Sequence, residues 1–241
     1  MGFYEELSKY YDVIFPAGEE QVSFLKEIAG KPPKAVLDIA CGSGGYSVEL
    51  AKLGYQVTAS DLDKEMLNRL DCKASAGELP IKLLHANMLD LESKLTDKYN
   101  LAFCIGNSIV HLENLQQIQK FLAGARNLLQ PDGGLVIQII NFDRILLRDI
   151  KSLPLIEDKK SGLTFERNYD YDRQKNIIYF KTRLNAGVNS YDNEIPLYPL
   201  LQDELISALS QAGFKKVKLF GDFNGNEFDK YNSFMLVLWA R

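Results

Sequence analysis

The 241-residue sequence predicts an α/β fold built on a mostly parallel sheet, and three observations carry that reading. Apolar runs of strand length alternate with segments whose apolar residues recur at helical spacing, starting with Ala35-Val36-Leu37-Asp38-Ile39, the helix after it, and Gln56-Val57-Thr58-Ala59-Ser60-Asp61. Strand, helix and strand in that order form a βαβ unit whose loops lie at the carboxyl ends of the strands. The last two runs, 214–220 and 233–239, are separated by Gly221-Asp222-Phe223-Asn224-Gly225, and that short connection makes them antiparallel to each other.

Two N-terminal helices come first. Residues 4–12 place Leu7, Tyr10 and Tyr11 on one face, and 18–29 do the same with Val22, Leu25 and Ile28. The strand at 35–39 then breaks into Ala40-Cys41-Gly42-Ser43-Gly44-Gly45, and helical spacing resumes through Tyr46, Leu50 and Leu53. Gly42 and Gly44 can take a positive φ and let a ligand lie against the backbone. Asp61, at the end of the second strand, stands where a ribose would present its hydroxyls, and a carboxylate there accepts two hydrogen bonds. A dinucleotide fingerprint would read G-x-G-x-x-G/A; here the run ends in Ser47 and is preceded by Asp38, whose charge repels a pyrophosphate and suits a cationic nucleoside.

Asp63 is placed to cap the next helix, with Met66 and Leu67 on its buried side. Strand three is expected at 81–86, turning through Asn87-Met88, and strand four at 100–105, breaking into Gly106-Asn107-Ser108 with His111 one turn on. A helix over 114–129 ends at Pro131-Asp132-Gly133-Gly134, which feeds strand five at 135–140. From about 150 to 199 the period becomes two: 164–169 and 177–184 read as an antiparallel hairpin across the polar turn 170–176, an inserted lid rich in tyrosine. A helix at 202–212, stopped by Gly213, precedes the terminal hairpin. The chain reads as one domain over 1–241, with 1–30 a helical cover.

The formal net charge of −4 gives no basic excess, so nucleic acid is not expected as a partner. No apolar run reaches membrane-spanning length, and Met1-Gly2-Phe3-Tyr4-Glu5-Glu6 lacks an export-signal pattern; the expected compartment is the cytoplasm. Cys41, Cys72 and Cys104 show no metal spacing, with no metal expected, and Cys41 and Cys104 at their strand ends read as small space-filling residues.

Val36-Leu37-Asp38-Ile39-Ala40-Cys41-Gly42-Ser43-Gly44 with Asp61 resembles the first motifs of the Rossmann-like class I S-adenosylmethionine-dependent methyltransferases. Cys104-Ile105-Gly106-Asn107-Ser108 with His111, and Asn141-Phe142-Asp143 after strand five, are similar to the glycine and sarcosine N-methyltransferase group. The resemblance implies a seven-stranded sheet with S-adenosylmethionine on it. Cofactor contacts would come from Tyr11, Asp38, Ala40, Gly42, Asp61, Leu62, Met66, Asn87, Met88 and Ile105. Asn107, His111 and Tyr198 would face a small-molecule acceptor, an amine before a hydroxyl. In that group an Arg before the Asn clamps a carboxylate; this chain has Ile140 there, with Arg144 four residues on. RNA or protein methylation, and cofactor binding without catalysis, stay open as alternatives.

Overall fold

A computed structural model describes the backbone of residues 3–241 and the side chains from Glu6 onward. Part of the Met1–Glu6 start therefore lies outside the described residues. Helix α1 (Phe3–Ile14) and α2 (Glu19–Ala29) precede β1 (Ala35–Ile39), α3 (Gly45–Lys52), β2 (Gln56–Asp61), α4 (Lys64–Ala76) and β3 (Lys82–His85). After a short helix α5 (Leu91–Lys94) come β4 (Tyr99–Cys104), α6 (Leu115–Leu128), β5 (Leu129–Ile140) and α7 (Phe142–Leu147). Strands β6 (Ile156–Asp158), β7 (Leu163–Asp172), β8 (Ile177–Ala186) and β9 (Asn189–Leu197) follow, then α8 (Gln202–Gln211), β10 (Val217–Phe220) and β11 (Met235–Ala240).

The main sheet has seven strands in the order β10-β11-β5-β4-β1-β2-β3. Strands β1 to β5 pair in parallel, and β11 runs antiparallel to both its neighbours, β5 and β10. Because the chain goes from β1 outward to β3 and then returns to β4 on the other side of β1, the strand order reverses between β1 and β4. Open α/β sheets bind ligands at that reversal, outside the carboxyl ends of the strands.

Alternation along the strands fills both faces. Val36, Val57, Leu101, Phe103 and Val136 pack against Phe24, Leu25 and Leu50 of α2 and α3. Leu37, Ile39, Ala102, Ile137 and Ile139 pack against Ile118, Phe121 and Leu122 of α6 and Leu205 and Leu209 of α8. Strands buried on both sides by helices read as nearly continuous apolar runs, as these do.

Caps sit where short polar side chains precede helices. The Asp63 carboxylate accepts from the Glu65 and Met66 N–H groups, Asn114 from Gln117 at 3.0 Å, and Asn141 from Arg144 at 3.2 Å.

Three expectations need correction. Strand β5 begins at Leu129 and not at Leu135: Leu129 is buried and pairs with Tyr99, so the Pro-Asp-Gly-Gly run is a break in register inside the strand. The inserted lid is a four-stranded antiparallel sheet, β6-β7-β8-β9, and not a two-stranded hairpin. Its third long strand, β9, is an edge whose Asn189-Ser190-Tyr191-Asp192-Asn193-Glu194 is polar enough to read as a loop. The connection between β10 and β11 is also long, because ordered backbone continues from Gly221 to Phe234. No helix among the described residues is long and apolar enough to cross a membrane.

Candidate active site

The turn after β1 is the floor of the site. Ala40, Gly42 and Gly44 all have positive φ (58°, 55° and 76°), a left-handed conformation that glycine takes freely and alanine takes at a cost. Asp61 fixes the shape of this turn: its Oδ2 accepts from the Gly42 N–H at 2.7 Å, and its Oδ1 accepts from the Asp63 N–H at 2.9 Å. Burial raises the Asp61 pKa above its ordinary value, against the lowering effect of those N–H groups.

Asp38 is 2% exposed, and its Oδ2 accepts from the Ser47 hydroxyl at 2.6 Å. Burial pushes its pKa up to about 7, opposed by Ser47 and assisted by the negative charge of Asp61. Two carboxylates thus share a poorly solvated space at the end of β1 and β2. A cation bound there would relieve both the lost hydration and their mutual repulsion.

Helix α1 covers the turn. A Cβ on Gly42 would meet the Tyr11 hydroxyl at 2.8 Å and its ring at 3.0 Å, so the tyrosine lies directly on the glycine. Burial and the nearby Asp61 raise its pKa far above the usual phenol range. Asp12 is hydrogen-bonded to the Ser43 hydroxyl and ion-paired with Lys73 at 2.7 Å, while Lys73 also donates to the Ser43 carbonyl at 3.0 Å. Arg69 donates to the Ser8 hydroxyl at 3.0 Å. The basic side chains of α4 therefore latch α1 over the site. Sequence reading missed this latch, since the partners lie about 60 residues apart.

On the β2 and β3 side, Leu62 is 65% exposed and Met66 is 5% exposed, so only Leu62 offers free surface. The Asn87 Oδ1 accepts from the Leu89 N–H at 2.9 Å, an Asx turn that aims Met88 and Leu89 over the end of β3. Both Asn87 and Met88 remain partly accessible.

The wall opposite is the loop after β4, where Ile105 is buried. Asn107 has φ 68°, and its Oδ1 accepts from the Ile140 N–H at 2.9 Å. Gln138, buried within β5, accepts from the Gly106 N–H through its side chain at 2.8 Å and from the Asn107 N–H through its carbonyl at 3.2 Å. Asn107 thereby ties the β4 loop to β5, and only its amide nitrogen is left for a ligand. Gln138 escaped the sequence reading, although a lone polar residue inside an apolar strand was the available signal.

Residues Ser108–His111 form a short 3₁₀ turn. His111 is exposed to solvent yet crowded enough by surrounding protein that desolvation lowers its pKa, as suits the wall of a concave site. The Tyr198 N–H donates to the Val110 carbonyl at 2.8 Å, joining the end of the lid to this turn. Its hydroxyl donates to Glu204 at 2.8 Å. Burial, with the Glu204 carboxylate beside it, pushes the Tyr198 pKa up to about 12. Arg144 faces Phe234, 5.9 Å from the ring centroid, with its buried Nε unpartnered.

A glycine turn with two carboxylates at the sheet reversal has parallels in known proteins. The family described as a methyltransferase domain matches residues 36–133. A glycine/sarcosine N-methyltransferase from Halorhodospira halochloris is 26% identical over 98% of this chain and 85% of its own length. The chain carries a methyltransferase domain. A second glycine/sarcosine N-methyltransferase, from Aphanothece halophytica, is 26% identical over 92% of this chain and 82% of its own. Among solved structures, the CcbJ methyltransferase from Streptomyces caelestis superposes with a TM-score of 0.82 at 21% identity, over 98% of this chain and 95% of the other. A methyltransferase from Clostridium acetobutylicum does so with a TM-score of 0.81 at 15% identity, over 99% and 98%. These two share the fold of this chain.

Proposed function

We propose that this methyltransferase acts on the amine of a small molecule held between the glycine turn and the lid. S-adenosylmethionine, when bound, supplies an electrophilic methyl group on a sulfonium. Gly42 and Ala40 would take the cofactor against the backbone, and Asp61 would accept from its ribose. Asp38 offers a carboxylate to its positively charged end, Tyr11 a cover, and Leu62, Asn87, Met88 and Ile105 the surroundings of the adenine. Met66, packed inside, would act by supporting this surface from beneath.

The observation that carries the acceptor reading is the place of His111 in the turn to which the lid is bonded. An accessible histidine kept neutral by its surroundings can take the proton that an amine must lose, and the Tyr198–Val110 hydrogen bond holds the lid against the same turn. The Asn107 amide nitrogen and the Tyr198 ring would orient the acceptor. Positioning of this kind accounts for about 7–11 kcal/mol of barrier in well-oriented reactions. The two N-methyltransferase relatives support an amine over a hydroxyl.

The test is incubation of the whole protein with labelled S-adenosylmethionine and separate panels of small amines, phenols and tRNA. Label in one or more amines, lost or much reduced in His111→Ala, is the expected result. Label only in phenols or only in tRNA would overturn it.

A further inference from the structure

The inner face of the lid is apolar except along one line. Register places Arg167 of β7 opposite Thr182 of β8, and Thr182 opposite Asn193 of β9, so the three side chains share a face across the sheet. On the same face their strand neighbours are Phe165 and Tyr169, Phe180 and Leu184, and Tyr191 and Ile195. Thr182 is 5% exposed and its Oγ1 has no partner; the Nε of Arg167 is also buried without one. Arg167 donates from Nη2 to the Pro154 carbonyl at 2.8 Å, and no carboxylate among the described residues pairs with it. Buried donors are nearly always satisfied, so two orphans in adjacent register positions call for a ligand.

The row also lies in the right place. On one side of Arg167, Phe165 meets Phe15 with ring centroids 5.8 Å apart, Phe15 meets Tyr11 at 5.2 Å, and Tyr11 rests on Gly42. On the other side, Tyr169 meets Phe142 at 6.3 Å, immediately past the end of β5. Arg167 is thus bracketed between the glycine turn and the strand that holds Asn107. Helix α1 packs its Leu7 and Ile14 on the Leu163-Phe165-Leu184 end of this face, and Tyr11 of the same helix must leave Gly42 for a ligand to lie there.

We propose that Arg167 and Thr182 form an oxyanion-binding subsite on the inner face of the lid that receives an acidic group of the methyl acceptor. This rests on the reading of the site as an amine methyltransferase and narrows its substrates to amines that also carry a carboxylate or a phosphate. The planar guanidinium offers donors along one edge and the threonine hydroxyl adds another, a set that matches either group.

The experiment is calorimetry on the full chain saturated with S-adenosylhomocysteine, using matched pairs of probes: β-alanine against its amide, and phosphoethanolamine against ethanolamine. In the wild type the acidic member of a pair is expected to bind about tenfold to a hundredfold tighter than its neutral partner, the range of a charged hydrogen bond. The pair that shows the preference identifies the group. Arg167→Gln is expected to erase it while S-adenosylhomocysteine affinity stays unchanged, and Arg167→Lys to restore part of it. Thr182→Val, which removes a buried orphan hydroxyl, is expected to raise the melting midpoint and still reduce the preference, so the test stands if an arginine variant does not fold. Equal binding within both pairs, or a preference that survives Arg167→Gln, overturns the subsite alone. Failure of the wild type to bind S-adenosylhomocysteine overturns the parent reading with it.

Discussion

Asp38 shows how one buried carboxylate couples binding, pH and stability. Its folded pKa of about 7 lies above the ordinary 3.8, so the folded state holds a proton that the unfolded chain has lost across that interval. Stability from this group is therefore greatest at low pH and falls as pH rises from about 3.8 to 7. A cationic ligand favours the ionised form and displaces that proton, so S-adenosylmethionine affinity should rise with pH and level off above about 7. Calorimetry across that range on wild type and Asp38→Asn checks this, the variant being flat. Gly44 has a purely steric burden: a Cβ there would stand 2.2 Å from a Leu70 methyl, and φ is 76°. Gly44→Ala should destabilise the protein by about 1–3 kcal/mol, the usual cost of overpacking, read as a lower urea midpoint at unchanged slope.

At the scale of elements, contacts from α4 hold α1 over the site. Lys73 joins Asp12 to the Ser43 carbonyl, but Asp12 is half exposed and the pair is screened by solvent. Lys73→Ala should leave global stability within about 1 kcal/mol of wild type and still speed amide exchange along α1, because the helix loses its tie to the turn. Equal exchange rates in the two proteins would show that apolar packing of Leu7 and Ile14 alone holds the cover. The strands and helices of the main sheet were legible because each buried element repeats apolar residues at its own period. The lid was legible only in part: β7 and β8 alternate, whereas β9 is a polar edge and β6 is three residues long. The latch left no local trace, since Arg69 and Lys73 look like any solvated helix face until α1 is laid across them.

In the molecule as a whole, an aromatic contact zone helps to join the lid to the layer beyond β5. Tyr169, 5% exposed, meets Phe180 at 5.4 Å within the lid and Phe142 at 6.3 Å beyond β5. Tyr169→Ala should cost about 3–5 kcal/mol, and both layers should still melt together. The single tryptophan, Trp239 in β11, makes this measurable: its fluorescence and the far-ultraviolet circular dichroism should give one coincident transition. Two separated transitions would show that the lid folds independently.

The sequence by itself determined the order of strands and helices in the main sheet, the glycine turn, and Asp38 and Asp61 at the ends of β1 and β2, because period, turn chemistry and charge are local properties of the chain. Only the tertiary structure decided what each polar group does once its neighbours arrive. It gave Asn107 to the Ile140 N–H, the Tyr198 hydroxyl to Glu204, and Tyr11 to Gly42, and it left the Arg167 Nε and the Thr182 hydroxyl without partners. Hydrogen-bond satisfaction and burial are set by residues far apart in the chain, and no window of sequence contains them.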